Sequence, residues 1–124
     1  MTPTTATPQA YRENAVLSAT PEQLVVMLYD GAARFLRLAA AAMRAREIER
    51  AHNTLRRAEM IIAHLDGVLD HEQGAPIAGQ LHSIYQFCLA HLGRARLDQD
   101  AGKLEQVSGL LGELRGSWAE IAHG

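Results

Sequence analysis

Four runs of apolar residues recur along the chain at alternating steps of three and four, and this periodicity limits the fold more than any other feature. The first is Leu24, Leu28, Gly31, Phe35, Leu38 and Ala42. The second is Ile48, Ala51, Leu55, Ala58, Ile62, Leu65 and Leu69. The third is Ile77, Leu81, Ile84, Cys88, His91 and Ala95, and the fourth Leu104, Val107, Leu111, Leu114, Trp118 and Ile121. Each run is one face of an α-helix, because only a helix returns a side chain to the same side at that spacing. The punctuation agrees. Thr20, Pro21 and Gln23 form a Thr-x-x-Gln capping box with proline at the first helical position. Gly74 and Pro76 stop one helix before the next, and residues 98–102 make the last turn. Short connections force neighbouring helices to run antiparallel. The expected fold is all-α: an antiparallel up-down four-helix bundle with a short N-terminal helix or cap. Phe35, Ile62, Ile84 and Trp118 are its expected core.

The domain plan follows from the same reading. Residues 1–10 are rich in Thr and Pro and are expected to be a flexible tail. Residues 11–19 carry Tyr11, Val16 and Leu17 and are expected to cap the bundle, which occupies residues 20–124. At 124 residues the chain has room for one core. The start has neither the basic nor the apolar region of a secretory signal. The longest near-apolar stretch, residues 36–43, is interrupted by Arg37 and is too short to cross a bilayer. Cys88 is the single cysteine, so no intrachain disulfide forms. These features fit a cytoplasmic protein without membrane insertion. A net charge of −2 offers no excess of positive charge for a nucleic-acid backbone, so no nucleic-acid partner is expected.

Several helices are apolar over more than one stripe. Val25, Tyr29, Ala32, Leu36 and Met43 lie beside the first seam. Thr54, Ile61, Leu65 and Val68 widen the second helix, and Ala78, Tyr85, Leu89 and Leu92 the third. Such width either deepens the core or lines grooves that take an apolar segment of a partner. On the grooved reading, the partner-binding residues are Val25, Tyr29, Leu36, Ile61, Val68, Tyr85, Leu89 and Leu92, with Tyr11, Val16 and Leu17 shielding part of a groove. Gly102, Gly109, Gly112 and Gly116 fall opposite the fourth seam and leave a smooth outer face.

Catalytic chemistry has no foothold in this pattern. A di-iron bundle needs two Glu-x-x-His pairs and two further inward glutamates. One such pair exists, Glu120 to His123, and no carboxylate sits on a seam. No metal site, catalytic residue or cofactor is expected. A histidine-phosphotransfer domain is a bundle of similar size, but its accepting histidine is followed by lysine three residues later and then glycine. Here His64 leads to Gly67 and His91 to Arg94. The chain reads as a binding protein rather than an enzyme. A signalling bundle, or a homodimer that closes its own grooves, stays open as an alternative on these residues alone.

One segment is more specific. Residues 18–32, Ser-Ala-Thr-Pro-Glu-Gln-Leu-Val-Val-Met-Leu-Tyr-Asp-Gly-Ala, resemble a signature of the flagellar secretion chaperone family FliS. Residues 58–70, 74–87 and 104–121 resemble three further stretches of that family at matching spacing. The resemblance covers residues 10–122. It implies an antiparallel bundle with a small N-terminal cap. It also implies a cytoplasmic chaperone that holds the assembly-prone C-terminal segment of flagellin, prevents premature filament formation and delivers it to the export gate of the flagellar type III system. In the family the bound segment lies in grooves between helices, and an N-terminal stretch with a tyrosine, matched here by Tyr11, is implicated in gate contact. The chain departs from the pattern at Pro8, where relatives often carry an apolar residue, and at Gln80 and Phe87, which replace Asn and Tyr.

Overall fold

The computed structural model of the chain describes residues 17–123, with side chains through residue 119. Four helices follow one another: α1 (Pro21–Arg44), α2 (Ile48–Gly67), α3 (Ile77–Asp98) and α4 (Ala101–His123). No strand occurs among the described residues. Each helix packs against its neighbours in a ring, α1 on α2, α2 on α3, α3 on α4 and α4 back on α1. This is the expected four-helix bundle. Tyr11 and Val16, and with them most of the expected cap, lie outside the described residues.

The helix ends follow local chemistry. Thr20 accepts a hydrogen bond from the Gln23 backbone N–H at 3.1 Å, and the Gln23 side chain accepts from the Thr20 N–H at 2.9 Å. The capping box read from the sequence is therefore made. After α2, the Asp70 carboxylate accepts from the Glu72 and Gln73 N–H groups at 3.1 and 2.9 Å and shapes the turn toward α3. α3 stops at Gln99, which adopts the left-handed conformation at φ 52° and donates its side-chain N–H to the Arg96 carbonyl. That turn is shorter than expected, because α4 already begins at Ala101.

The core is centred on Tyr29, Leu36, Leu55, Ile62, Tyr85, Leu92, Leu104 and Leu111, all fully buried. On α2 the expected seam is buried from Ala51 to Leu65, and on α4 from Leu104 to Leu111. On α3 the buried track is Ala78, Leu81, Tyr85, Cys88, Leu92 and Ala95, a single stripe that merges parts of the two stripes read from the sequence. α1 differs most. Its buried face is Tyr29, Ala32, Leu36, Ala39, Ala40 and Met43, whereas Leu24, Leu28 and Phe35 are half-buried and Leu38 is 48% exposed. The helix is turned so that its second stripe, not its first, meets the core. The buried alanines explain this: small side chains let α1 lie close to both α2 and α4, which leucines there would prevent. Of the four expected core anchors, Ile62 is fully buried, while Phe35, Ile84 and Trp118 pack on the core from its edge.

Polar links stitch neighbouring helices. Arg44 forms a two-pronged pair with Glu105, and Arg115 pairs with Asp30, both joining α1 to α4. Arg96 pairs with Glu59 and donates to His52 Nδ1, joining α3 to α2. Ser108 donates to the Ala33 carbonyl at 3.4 Å. Among the described residues, no buried side-chain nitrogen or oxygen lacks a partner. The outer face of α4 is open: a Cβ added at Gly109, Gly112 or Gly116 would meet nothing within 4 Å. Gly109→Ala with Gly112→Ala is therefore expected to raise stability by about 1–2 kcal/mol in chemical denaturation, by restricting the unfolded chain. A loss of stability would mean that this face is covered in solution.

Candidate functional site

The side chains expected to bind a partner divide by depth. Tyr29, Leu36, Tyr85 and Leu92 are core residues with essentially no exposed surface. They do not stand off the bundle, as their position beside the sequence seams suggested, and a docked segment reaches them only by opening it. The grooved reading placed both tyrosines at the surface. Instead the two hydroxyls hydrogen-bond to each other across the core, so neither needs water. Burial pushes both phenols above their ordinary pKa of 10.0, and the shared hydrogen bond raises Tyr85 further. Val25, Ile61 and Leu89 are half-buried, and Leu89 lines a groove between α2 and α3. Val68 is 60% exposed and Leu17 is 84% exposed.

Several grooves remain accessible. The most apolar runs between α3 and α4, has a volume of about 410 Å³, and is lined by Ile77, Leu81, Ile84, Leu114 and Trp118, with Gln80 and Ser117 at its rim. Ile77 is 62% exposed there. The wall continues along α3 to Phe87, which is 57% exposed and stacks on the His91 ring at 5.3 Å. His91 Nε2 and Gln106 Oε1, 2.7 Å apart, bridge the two helices beyond it. α3 and α4 share the least extensive contact of the four neighbouring pairs, which is why a groove persists between them. Ile77 and Ile84 were expected on the α3 seam, so of this wall only Phe87, an apolar residue off both α3 stripes, carried a signal in the sequence.

A second groove, between α2 and α3, has Met60, Ala63 and Leu89 as its floor and Arg56, Glu59, His52 and Arg96 at its edge. Below it, Asp66 is held by His82 Nδ1 at 2.7 Å and by the Gln86 amide at 2.9 Å. The third lies between α1 and α2. Leu38, Ala41, Ala42 and Thr54 line one end of it. The Arg57 guanidinium sits 5.8 Å from the centre of the Phe35 ring farther along.

Reactive chemistry is not assembled here. No group of three or more His, Cys, Asp or Glu that could hold a metal occurs among the described residues. The Cys88 thiol is buried, and burial pushes its pKa up to about 11, so it stays protonated and inert near neutrality. No helix among the described residues is long and apolar enough to cross a membrane.

The open apolar grooves offer surface on which a partner could dock. The model of the family described as flagellar protein FliS matches residues 4–124, nearly the whole chain. The chain belongs to the FliS family. It is 36% identical over 111 residues to the flagellar secretion chaperone FliS of Salmonella typhimurium, covering 89% of this chain and 82% of that one. It is 32% identical over 111 residues to the FliS of Bacillus subtilis, covering 90% and 82%. The flagellar secretion chaperone FliSB of Pseudomonas aeruginosa is 33% identical over 111 residues, covering 90% and 88%. FliS proteins are thus named as chaperones, a binding role and not a catalytic one. The match extends through all four helices, so the grooves described above lie within the length that the family model covers.

Proposed function

We propose that this FliS-family chain is a cytoplasmic export chaperone for flagellin. It holds the C-terminal, assembly-prone segment of flagellin until delivery to the flagellar export gate, and so keeps subunits from polymerising early. Membership of the FliS family is the observation that carries this reading. The surface supports it: a disordered segment that orders on binding needs a large apolar footprint to offset its lost entropy.

The α3/α4 groove is the best seat for the apolar part of that segment, with Ile77, Ile84, Phe87 and Leu114 as contacts. Val25, Ile61, Val68 and Leu89 extend the footprint around the bundle. Tyr29, Leu36, Tyr85 and Leu92 act from beneath, as the rigid core that sets groove shape. Tyr11, Val16 and Leu17 belong to the N-terminal segment, whose role is to shield groove surface before cargo arrives and to touch the gate.

Titration of the full chain with the C-terminal segment of flagellin from the same bacterium tests this. Ile77→Asp with Phe87→Asp changes two exposed residues, so helicity and melting should persist while affinity falls more than tenfold. Unchanged affinity in this variant would remove the α3/α4 groove from the binding surface. Failure of the unaltered chain to bind flagellin would defeat the export reading itself. If sedimentation instead finds a homodimer that the same variant breaks, the groove closes on a second copy.

A further inference from the structure

α3 is the helix held least firmly, and it is loose on both sides. α1 packs extensively on α2 and on α4, whereas α3 packs far less on α2 and least of all on α4. A groove therefore runs along each flank of α3. Met60, Ala63 and Leu89 floor the one toward α2, and Ile84, Leu114 and Trp118 line the one toward α4. α3 meets the core through a single stripe of side chains centred on Leu81, Tyr85, Cys88 and Leu92. Local structure does not compensate. Pro76 supplies no side-chain cap at its start, and Gly79 and Gly93 lie inside the helix. α4 is richer in glycine, but it has the most extensive packing of all, on α1.

The polar links of α3 follow the same division. Arg96 pairs with Glu59 and donates to His52, Asp66 is held by His82 and Gln86, and His91 meets Gln106. None of these side chains is buried, so water can replace each partner when the helices part. The Tyr29–Tyr85 contact is different, because its two hydroxyls meet in the dry core and join α3 to α1. If α3 leaves, α1 still lies between α2 and α4, and Arg44–Glu105 and Arg115–Asp30 still tie α1 to α4. Opening of this kind loses only the contacts of one helix and costs less than global unfolding.

We infer that α3 opens as one unit on a frame made by α1, α2 and α4, with the Tyr29–Tyr85 hydroxyl pair as its latch. Because α3 walls two grooves, one motion changes the width of both. The motion belongs to the chain by itself and does not depend on the export reading.

Cys88 provides the probe. It is the single cysteine and sits fully buried on the inner face of α3, so alkylation by iodoacetamide in the full chain reports each opening. Labelling should run at least about tenfold faster than the globally unfolded population allows, with a denaturant dependence well below that of global unfolding. Val107→Cys in a Cys88→Ala background moves the thiol to the inner face of α4, and there labelling should follow global unfolding with its full denaturant dependence. Hydrogen exchange reads the unaltered chain without any substitution: the amides of α3 should exchange together, ahead of those of α1 and α4. Tyr85→Phe should speed Cys88 labelling about tenfold and leave its shallow denaturant dependence in place. Cys88 labelling that follows global unfolding would overturn the inference, as would exchange of α3 in step with α1 and α4. Shallow labelling of the α4 thiol would overturn the frame. A Cys88 rate unchanged by Tyr85→Phe would overturn the latch.

Discussion

Replacing Leu36 with Asp unfolds the bundle; it does not merely weaken binding of a partner. Leu36 is fully buried on the inner face of α1, within the cluster that contains Tyr29, Leu55, Ile62 and Tyr85. Leu36→Ala alone should cost about 2–5 kcal/mol, because the cavity it leaves among close-packed helices cannot fully collapse. An aspartate there adds an unpaired charge in a dry environment, a penalty of several kcal/mol more. Against a total stability of about 5–15 kcal/mol for a domain, the sum leaves little or no folded protein. Far-ultraviolet circular dichroism and thermal melting check this. Near-normal helicity and melting in Leu36→Asp would mean that α1 is rotated from the register described. Leu89→Asp should behave differently, since Leu89 is half-buried beside Met60 and Ala63 at a groove floor. That variant should keep its helices.

The second large effect concerns the buried tyrosine pair. Tyr29→Phe or Tyr85→Phe strands the partner hydroxyl in the core, at a cost of about 1–3 kcal/mol each. Replacing both removes donor and acceptor together, so the double variant should cost clearly less than the two singles added, giving a coupling that denaturation of all four proteins measures. Additive effects would mean that the hydroxyls do not depend on each other.

The same pair makes a pH prediction with a definite sign. Burial is the main reason that both phenols ionise above the ordinary value of 10.0, since the charged form would lose its water. A raised folded-state pKa means that the unfolded chain releases these protons first. The pair's contribution is therefore complete below about pH 10 and is lost as pH rises toward the folded values. Stability should fall on the alkaline side, and the Tyr29→Phe, Tyr85→Phe double variant should flatten that fall. An alkaline limb unchanged in the double variant would assign the loss to other groups. Glu105 contributes in the opposite sense. Its hydrogen bond to Arg44 holds its carboxyl below the usual range, so its share is present at neutral pH and disappears as pH falls through that lowered value.

What the sequence determined by itself was whatever depends on local rules. The capping box at Thr20, the turn at residues 71–76 and the helical period follow from chain neighbours alone, so the number and direction of the helices were legible, although the second helix ends at Gly67, short of the expected Asp70. So was the inner face of α2, where Leu55, Ile62 and Leu65 outweigh everything beside them. The FliS signature at residues 18–32 was legible too, because its residues are contiguous. The phase of α1 was not. Leu24, Leu28, Phe35 and Leu38 form its strongest apolar stripe, yet Ala32, Ala39 and Ala40 face the core, since the closeness of two neighbouring helices rewards small side chains and not large ones. Nor could the sequence place Tyr29 and Tyr85 inside, because the partner that makes each hydroxyl tolerable there lies 56 residues away. The grooves follow from the same cause. Once α1 turns its alanines and Tyr29 inward, Phe35 and Leu38 are left over on the α1/α2 side, and the looser contact of α3 with α4 leaves Ile77 and Phe87 at the surface. Hydrophobicity told which side chains seek cover, but only the packing of four helices at once decided which of them found it.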